Sequence, residues 1–200
     1  MRLIVVRHGE TVWNVEGREI GQLDSPLTPR GIEQAERLSR RLSHTRIDAI
    51  YSSDLGRSMK TAEILAAVCH TEVHPEPDLR ERHMGIFQGL TVEEIERRFP
   101  GDRQKYQENR DYAIPEGESG AQRTARTMRT LTEIAERHSD RTVVVVTHSG
   151  VLRGLFECVL AVPSGLDARF RRDNASYNAF DYEAGKWTLV TWNDVSHLQD

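Results

Sequence analysis

The sequence predicts an α/β fold, a three-layer sandwich with a mostly parallel central sheet. Two unbroken apolar runs rich in β-branched residues, Leu3–Val6 and Val143–Val146, are typical of central strands covered on both faces. Segments with helical spacing separate these runs, and strands that alternate with helices indicate a parallel sheet. The 200 residues have the length of one ordinary domain, so we expect residues 1–200 to form a single domain.

The segment after the first strand predicts a helix that begins at Pro29. Thr28 is a suitable N-cap, and proline is favoured at the first helical position because its missing N–H would have no partner there. Four apolar residues of this helix lie on one face: Ile32, Ala35, Leu38 and Leu42.

A second helix is predicted behind the strand Ala49–Tyr51. Ser53 or Asp54 is available as its N-cap. Its apolar positions follow helical spacing: Leu55, Met59, Ala62 and Ala66.

Two capping-box spacings predict later helices. Thr91 with Glu94 begins a short helix, and Ser119 with Gln122 begins a long one. The apolar positions of the long helix are Ala125, Met128 and Leu131.

Two further segments complete the predicted architecture. The charged stretch around 80–117 contains two prolines and has weak periodicity, so we expect it to be a helical cap insertion that helps to choose the substrate. Near the C-terminus, Tyr177–Phe180 and Trp187–Val190 flank Glu183–Lys186, a pattern that predicts an antiparallel hairpin at one edge of the sheet.

The composition points to a small solute as partner. A net charge of -4 and a pI near 6.1 give no overall attraction to nucleic acid or to an anionic membrane. Cys69 and Cys158 lie far apart, which argues against a disulfide scaffold or structural zinc, and we expect both to be buried. The first apolar run is too short for a signal peptide, and no run could span a bilayer, so we expect a cytoplasmic protein.

Two histidines follow the two predicted central strands. His8 stands in Arg7-His8-Gly9-Glu10-Thr11, and His148 stands in Thr147-His148-Ser149-Gly150. Ligands bind at the carboxyl edge of an open α/β sheet, and the nearby glycines let a ligand approach the backbone. A single histidine at a strand end more often caps or packs, but two in matched contexts predict one shared pocket.

Two arginines are predicted at the same edge. Arg7 adjoins His8, and Arg57 follows a third strand. A guanidinium offers a fork of donors that matches phosphate oxygens, and its charge does not titrate away. Each arginine taken alone is better interpreted as a solvated surface charge. The two arginines together with the two histidines indicate a phosphoryl site.

Phosphoryl transfer then needs a nucleophile and an acid. A neutral imidazole at His8 can attack phosphorus and form a phosphohistidine. Glu81, in Leu79-Arg80-Glu81-Arg82-His83, could protonate the leaving oxygen, although it could equally pair with Arg80 or Arg82.

These residues together resemble the histidine phosphatase superfamily, which includes the cofactor-dependent phosphoglycerate mutases, over nearly the whole chain. The matching segments occur in the family's order: Arg7-His8-Gly9-Glu10-Thr11-x-x-Asn14, Gly21-x-x-Asp24-Ser25-Pro26-Leu27-Thr28, Ser53-Asp54-Leu55-Gly56-Arg57-x-x-x-Thr61-Ala62, Leu79-Arg80-Glu81 and Val146-Thr147-His148. The resemblance implies that His8 is phosphorylated and that Glu81 serves the leaving group and then water. It also implies phosphoryl contacts from Arg7, Arg57, His148 and Asn14.

One position departs from the family pattern, and other residues are candidates for substrate contact. The second histidine motif commonly has glycine directly after the histidine, whereas here Ser149 intervenes. Serine is small and can cap the following helix, so we expect the site to tolerate it, and Ser149 is itself a candidate for phosphate or substrate contact. Gln22 is expected beside the signature loop, and Arg82 in the cap could contact a substrate carboxylate or second phosphate. The roles of His83 and His197 stay open, with a structural role favoured for each.

The sequence favours a metal-independent phosphomonoesterase that acts on a small phosphorylated metabolite. Ile114–Ser119 and the absence of asparagine soon after His148 resemble the phosphatase branch. Glu81-Arg82-His83 resembles the mutases, so a phosphoglycerate mutase primed by 2,3-bisphosphoglycerate stays open; otherwise no cofactor is expected. A non-catalytic phospholigand-binding protein is less favoured, because binding alone needs neither His8 nor Glu81. A metal-dependent hydrolase is also less favoured, because the arginines would repel a cation. Whether the chain forms a homodimer stays open.

Overall fold

The computed structural model describes residues 1–162 and 170–199 and contains one six-stranded sheet with the strand order β3-β2-β4-β1-β5-β6. The strands are β1 Arg2–Arg7, β2 Ala49–Ser52, β3 Val73–Pro75, β4 Thr142–Thr147, β5 Tyr177–Glu183 and β6 Lys186–Asp194. Strands β1 to β4 pair in parallel, and the hairpin β5–β6 joins β1 antiparallel. The predicted fold class is therefore confirmed.

Seven α-helices accompany the sheet in the described part of the chain. They are α1 Val12–Glu16, α2 Pro29–Leu42, α3 Gly56–Cys69, α4 Val92–Arg98, α5 Pro100–Glu108, α6 Gly120–Arg137 and α7 Ser149–Val159. Short 3-10 helices lie at Pro77–Leu79, Gly85–Phe87 and Ser196–Leu198. The predicted Thr28 cap with Pro29 as first residue and both predicted capping boxes are confirmed.

The two central strands are apolar on both faces because each face is covered by a pair of helices. Leu3 and Val5 share one core cluster with residues of α6 and α7, and Ile4 and Val6 share another with residues of α2 and α3. The strands β1 and β4 run in parallel register, with Val5 beside Val145. Their carboxyl ends therefore meet at one edge of the sheet.

The segment between β3 and α6 has a small apolar core of its own. Met84, Phe87, Ile95 and Ile114 are buried there together, while α4 and α5 present charged side chains outwards. The weak periodicity of this stretch reflects two short helices joined at Phe99 rather than one long one.

Two local expectations are wrong: the N-cap of α3 and the burial of both cysteines, of which Cys69 is only partly buried. Neither Ser53 nor Asp54 caps α3, because the Ser53 hydroxyl bonds His148 and the Asp54 carboxylate pairs with Arg80. Cys158 is exposed, because α7 turns this position towards a cavity at the sheet edge.

Near that edge of the sheet, the buried faces of the helices differ from those that the apolar spacing predicts. Ile32 is 37% exposed, and Ala125 is exposed as well. In contrast, α3 buries Arg57, Ser58 and Thr61. Polar residues occupy buried helix positions where the helices border the site instead of the core.

Candidate active site

The two predicted histidines lie side by side at the carboxyl ends of β1 and β4. Their ring centroids are 5.3 Å apart, and the ring planes are inclined by 59°. The backbone hydrogen bonds between β1 and β4 continue as far as His8, whose N–H donates to the Thr147 carbonyl at 3.0 Å. A cavity of about 1200 Å³ lies at this edge and is lined by Arg7, His8, Arg57 and Glu81, among others.

The ring of His8 is held in one tautomer. Its Nδ1 lies 2.7 Å from the Gly9 carbonyl oxygen, which can only accept, so Nδ1 carries the proton and Nε2 keeps a lone pair. Burial lowers the pKa of His8 well below its ordinary 6.5, and the charges of Arg57 and Arg7 lower it further. His8 is therefore neutral at pH 7 and can act as a nucleophile.

The loop that carries His8 is packed tightly against α2. A Cβ on Gly9 would lie 2.3 Å from the Gly31 carbonyl oxygen, and a Cβ on Gly31 would lie 2.0 Å from the Glu10 carbonyl oxygen. Neither position accommodates a side chain without moving backbone. This contact fixes the loop and hence the direction of the His8 ring.

His148 is fully buried behind His8. Its Nε2 lies 2.9 Å from the Ser53 hydroxyl and 3.3 Å from the Ser58 hydroxyl, while its Nδ1 has no partner among the described residues. Burial, with added repulsion from Arg57, lowers the pKa of His148 well below 6.5. The ring is therefore neutral and has one unused nitrogen.

Arg7 and Arg57 are anchored by main-chain carbonyls and each keeps a free edge. Arg7 Nη1 donates to the Arg172 carbonyl at 2.6 Å, and Arg57 donates to the Leu23 and Gly21 carbonyls at 2.6 and 2.8 Å. The Nε atoms of both guanidinium groups are buried and have no partner in the described part of the chain. Burial lowers the pKa of Arg7 to about 10, so it stays charged at neutral pH.

Glu81 lies over the beginning of α7. Its Oε2 accepts from the Gly150 N–H at 2.9 Å and from the Ser149 hydroxyl at 3.4 Å, and its Oε1 accepts from the Arg82 N–H at 2.8 Å. The expectation that Ser149 caps α7 is wrong, because His148 occupies the cap position and Ser149 is the first helical residue.

The family of this chain follows from its similarity to known proteins. The family model described as histidine phosphatase superfamily (branch 1) matches residues 3–195. The chain belongs to this superfamily.

Among the described residues, no group of three or more histidine, cysteine, aspartate or glutamate side chains is placed to hold a metal ion. None of the described helices is long and apolar enough to cross a membrane.

This chain has relatives that carry both phosphatase and mutase names. It is 42% identical over 203 residues to phosphoglycerate mutase-like protein 4 of Arabidopsis thaliana, a match that covers 99% of this chain and 87% of the relative. It is 40% identical over 200 residues to a metal-independent phosphoserine phosphatase of the same plant, with coverage of 98% and 82%.

Solved structures share the whole fold. Bacillus stearothermophilus YhfR superimposes with a TM-score of 0.93 at 33% identity, and the match covers 99% of both chains. A mycobacterial glucosyl-3-phosphoglycerate phosphatase in complex with VO3 superimposes with a TM-score of 0.86 at 33% identity, with coverage of 96% and 98%.

The predicted substrate residues are not all placed at the cavity. Asn14 lines it, with its side-chain oxygen accepting from the Thr11 N–H at 3.1 Å. The Gln22 side chain instead donates to the Glu81 carbonyl at 3.0 Å. Arg82 borders the cavity, but its guanidinium donates to the carbonyls of Glu118, Arg110 and Tyr112 and so ties the cap together.

The two other histidines have local partners. His83 accepts from the Gly85 N–H at 3.2 Å, and His197 lies 3.1 Å from the Ala175 carbonyl oxygen. Both rings therefore make contacts that hold the backbone.

Two residues that the sequence analysis did not single out also line the cavity, Glu19 and Arg123. Arg123 lies at the buried face of α6 and is 6% exposed. Its guanidinium runs along α7, where a Cβ on Gly150 would lie 2.8 Å from Nη1 and one on Gly154 would lie 3.0 Å from Nη2. The sequence could have indicated this position, because Arg123 precedes Thr127 and Leu131 by four and eight residues. This spacing places the charge of Arg123 on the core-facing side of the helix.

Proposed function

We propose that this histidine phosphatase hydrolyses a small phosphomonoester without a metal ion, through a phosphohistidine at His8. The observation that carries the proposal is a set of three buried nitrogens around the His8 ring that have no partner among the described residues: Arg7 Nε, Arg57 Nε and His148 Nδ1. A buried donor left unpaired costs about 1–3 kcal/mol, so native proteins pair such groups with protein atoms, ordered water or a bound ligand. A phosphoryl dianion supplies the acceptor oxygens that these donors lack.

In the first half-reaction, Nε2 of His8 attacks phosphorus and forms a P–N bond while the P–O bond to the leaving group breaks. Glu81 gives its proton to the leaving oxygen, so that the product departs as an alcohol. Arg7, Arg57 and the Nδ1 proton that we assign to His148 bind the phosphoryl oxygens and offset their charge. The carbonyl of Gly9 keeps the Nδ1 proton of His8 and stabilises the charged ring.

In the second half-reaction, water attacks the phosphohistidine and the P–N bond breaks. Glu81 takes a proton from this water, which restores its acid form, and inorganic phosphate leaves. The lone pair returns to Nε2 of His8. Both halves use the same groups, and no redox partner or metal ion is required.

The names of the relatives support hydrolysis as the net reaction, since one is a metal-independent phosphoserine phosphatase and one structural neighbour is a phosphatase. The mutase-like relative supports a second candidate reaction, transfer of the phosphoryl group to another hydroxyl of a phosphoglycerate. Both reactions share the phosphoenzyme and differ in whether water reaches it.

The test compares wild type with His8→Ala and with His44→Ala, which changes an exposed histidine. Release of inorganic phosphate from p-nitrophenyl phosphate should fall by several orders of magnitude in His8→Ala and stay unchanged in His44→Ala. Rapid quench of 32P-labelled substrate with enzyme in alkaline denaturant should trap on His8 a label that is stable to base and lost in acid. Retention of more than a few per cent of activity in folded His8→Ala would refute the mechanism.

A second assay separates hydrolase from mutase. 3-Phosphoglycerate is supplied with and without 2,3-bisphosphoglycerate, and both phosphate release and formation of 2-phosphoglycerate are measured. We expect phosphate release that does not need the bisphosphate. Isomerisation faster than phosphate release would favour the mutase.

A further inference from the structure

The cavity wall is strongly cationic, but it contains one carboxylate without a partner. Nine arginines and four acidic residues line the cavity in the described part of the chain. Three of the four acids are satisfied: Glu81 by main-chain N–H groups, Glu157 by Arg153 at 2.7 Å, and Asp111 by the Ala121 N–H at 2.5 Å. Within residues 1–162 and 170–199, the carboxylate of Glu19 forms no hydrogen bond or ion pair.

The backbone holds Glu19 firmly between the cap and the phosphoryl site. Its N–H donates to the Leu90 carbonyl at 2.9 Å, and its own carbonyl accepts from the Gly89 N–H at 2.7 Å. Two residues further along, the Gly21 carbonyl accepts from Nη2 of Arg57 at 2.8 Å. The backbone that carries this side chain is therefore fixed before any substrate binds, which lowers the cost of ordering it on binding.

An unpaired carboxylate at this place has an electrostatic cost. Burial raises the pKa of Glu19, and the neighbouring charge of Glu81 raises it further, while Arg103, Arg110 and Arg82 act in the opposite direction. A substrate with only anionic groups would be repelled by Glu19 as it approached Arg57. A cationic group on the substrate would be attracted and would replace the lost hydration of the carboxylate.

A cation is also available for a second anionic group of the substrate. Arg110 lines the same cavity, and its guanidinium lies over the Tyr106 ring at 4.8 Å. In the described part of the chain this guanidinium forms no ion pair with an acidic side chain. In the described residues, the cavity wall beyond the phosphoryl site thus presents a carboxylate, Glu19, and a guanidinium, Arg110, that form no ion pair with each other.

We propose that Glu19 binds an ammonium group of the substrate, so that this enzyme selects phosphomonoesters that carry a primary amine. The proposal rests on the proposed hydrolysis at His8 and names the substrate class of that same cavity. Glu19 makes a charge-assisted hydrogen bond to the ammonium, and Arg110 is placed to take a carboxylate where the substrate has one. The corresponding hydroxy compound offers Glu19 a neutral donor only and binds less tightly.

The test uses two matched substrates, O-phosphoethanolamine and 2-hydroxyethyl phosphate, which differ only in an ammonium against a hydroxyl. We expect wild-type kcat/KM to favour the amine by at least about tenfold, the ratio typical of one charge-assisted hydrogen bond worth about 1.5–3 kcal/mol. Glu19→Gln should remove this preference through a higher KM for the amine, and it should not raise the KM for 2-hydroxyethyl phosphate or p-nitrophenyl phosphate, which carry no ammonium group. Glu133→Gln makes the same change at an exposed position of α6 and should alter neither value.

Each outcome bears on one proposal. Wild type that turns over p-nitrophenyl phosphate but shows no preference for the amine would refute the role of Glu19, whatever the variant does. Equal losses on both matched substrates in Glu19→Gln would make Glu19 a structural residue and also refute it. Absence of phosphate release from every substrate, p-nitrophenyl phosphate included, would refute the proposed function instead.

Discussion

Gly150 makes room for Glu81 at the beginning of α7. The Gly150 N–H donates to Oε2 of Glu81 at 2.9 Å, and a Cβ on Gly150 would lie 2.1 Å from Oε1 of the same carboxylate. The glycine thus serves two purposes: its bare Cα admits the carboxylate, and its N–H, at the positive end of a helix, binds it. The placement of the proposed acid therefore depends on a residue with no side chain.

Gly150→Ala should displace Glu81 and slow turnover. A misplacement of about 1 Å at a reacting group costs roughly a hundredfold, so kcat should fall by about that factor. Because overpacking costs about 1–3 kcal/mol, a urea titration should also show a lower free energy of unfolding. Gly101→Ala is the matched control, since a Cβ there meets nothing within 4 Å, so kcat should hold and the free energy of unfolding should not fall. Unchanged kcat in Gly150→Ala would mean that Glu81 does not act in this position.

Glu81→Gln tests proton donation directly. The substitution should slow phosphoryl transfer from an alkyl phosphate by about two to four orders of magnitude and much less from an aryl phosphate, whose leaving group needs little protonation. Single-turnover transfer to the enzyme is measured, because breakdown of phosphohistidine also uses Glu81. Equal losses on both substrates would assign Glu81 a role in positioning the phosphate, and the acid would then have to be sought elsewhere.

Stability should fall on the acid side because His8 and His148 are buried and neutral. Burial sets the folded pKa of each below the ordinary 6.5, so below pH 6.5 the unfolded chain binds more protons than the folded one. The free energy of unfolding should therefore decrease as pH falls below 6.5, and these two groups should contribute no slope above it. Urea titrations from pH 8 to pH 5 measure this slope.

A variant identifies the groups responsible for the slope. His148→Gln removes one buried imidazole and should flatten the acid slope, whereas His44→Gln changes an exposed ring and should leave it as in wild type. An identical slope in wild type and His148→Gln would show that other groups set the acid sensitivity.

Activity should survive exhaustive chelation. In the proposed mechanism the charges of Arg7 and Arg57 supply the neutralisation that a metal ion would otherwise supply, and the Nδ1 proton assigned to His148 binds a phosphoryl oxygen. Steady-state turnover is measured after dialysis against EDTA. Loss of turnover that a specific divalent ion restores would contradict the metal-independent mechanism.

Local sequence patterns were sufficient for the fold and for bringing most of the candidate residues to one edge of the sheet. Two apolar runs predicted β1 and β4, and parallel pairing then required His8 and His148 to meet, as their 5.3 Å separation shows. Side-chain capping was predicted correctly where both partners are local in sequence, as at Thr91 and Ser119. It was wrong at Ser53 and Ser149, because their hydroxyls bond residues distant in sequence, His148 and Glu81.

The sequence by itself determined the layered fold, the order of the motifs and the chemical types brought to one sheet edge, because apolar periodicity and strand direction are properties of short segments. Only the tertiary structure decided which charged groups are already satisfied. Arg82 resembles a substrate contact in sequence, but distant cap carbonyls use its guanidinium. Glu19 gave no signal, and its unpaired carboxylate becomes evident only where the loop before Gly21 meets the cap, because pairing depends on neighbours that folding brings from other parts of the chain.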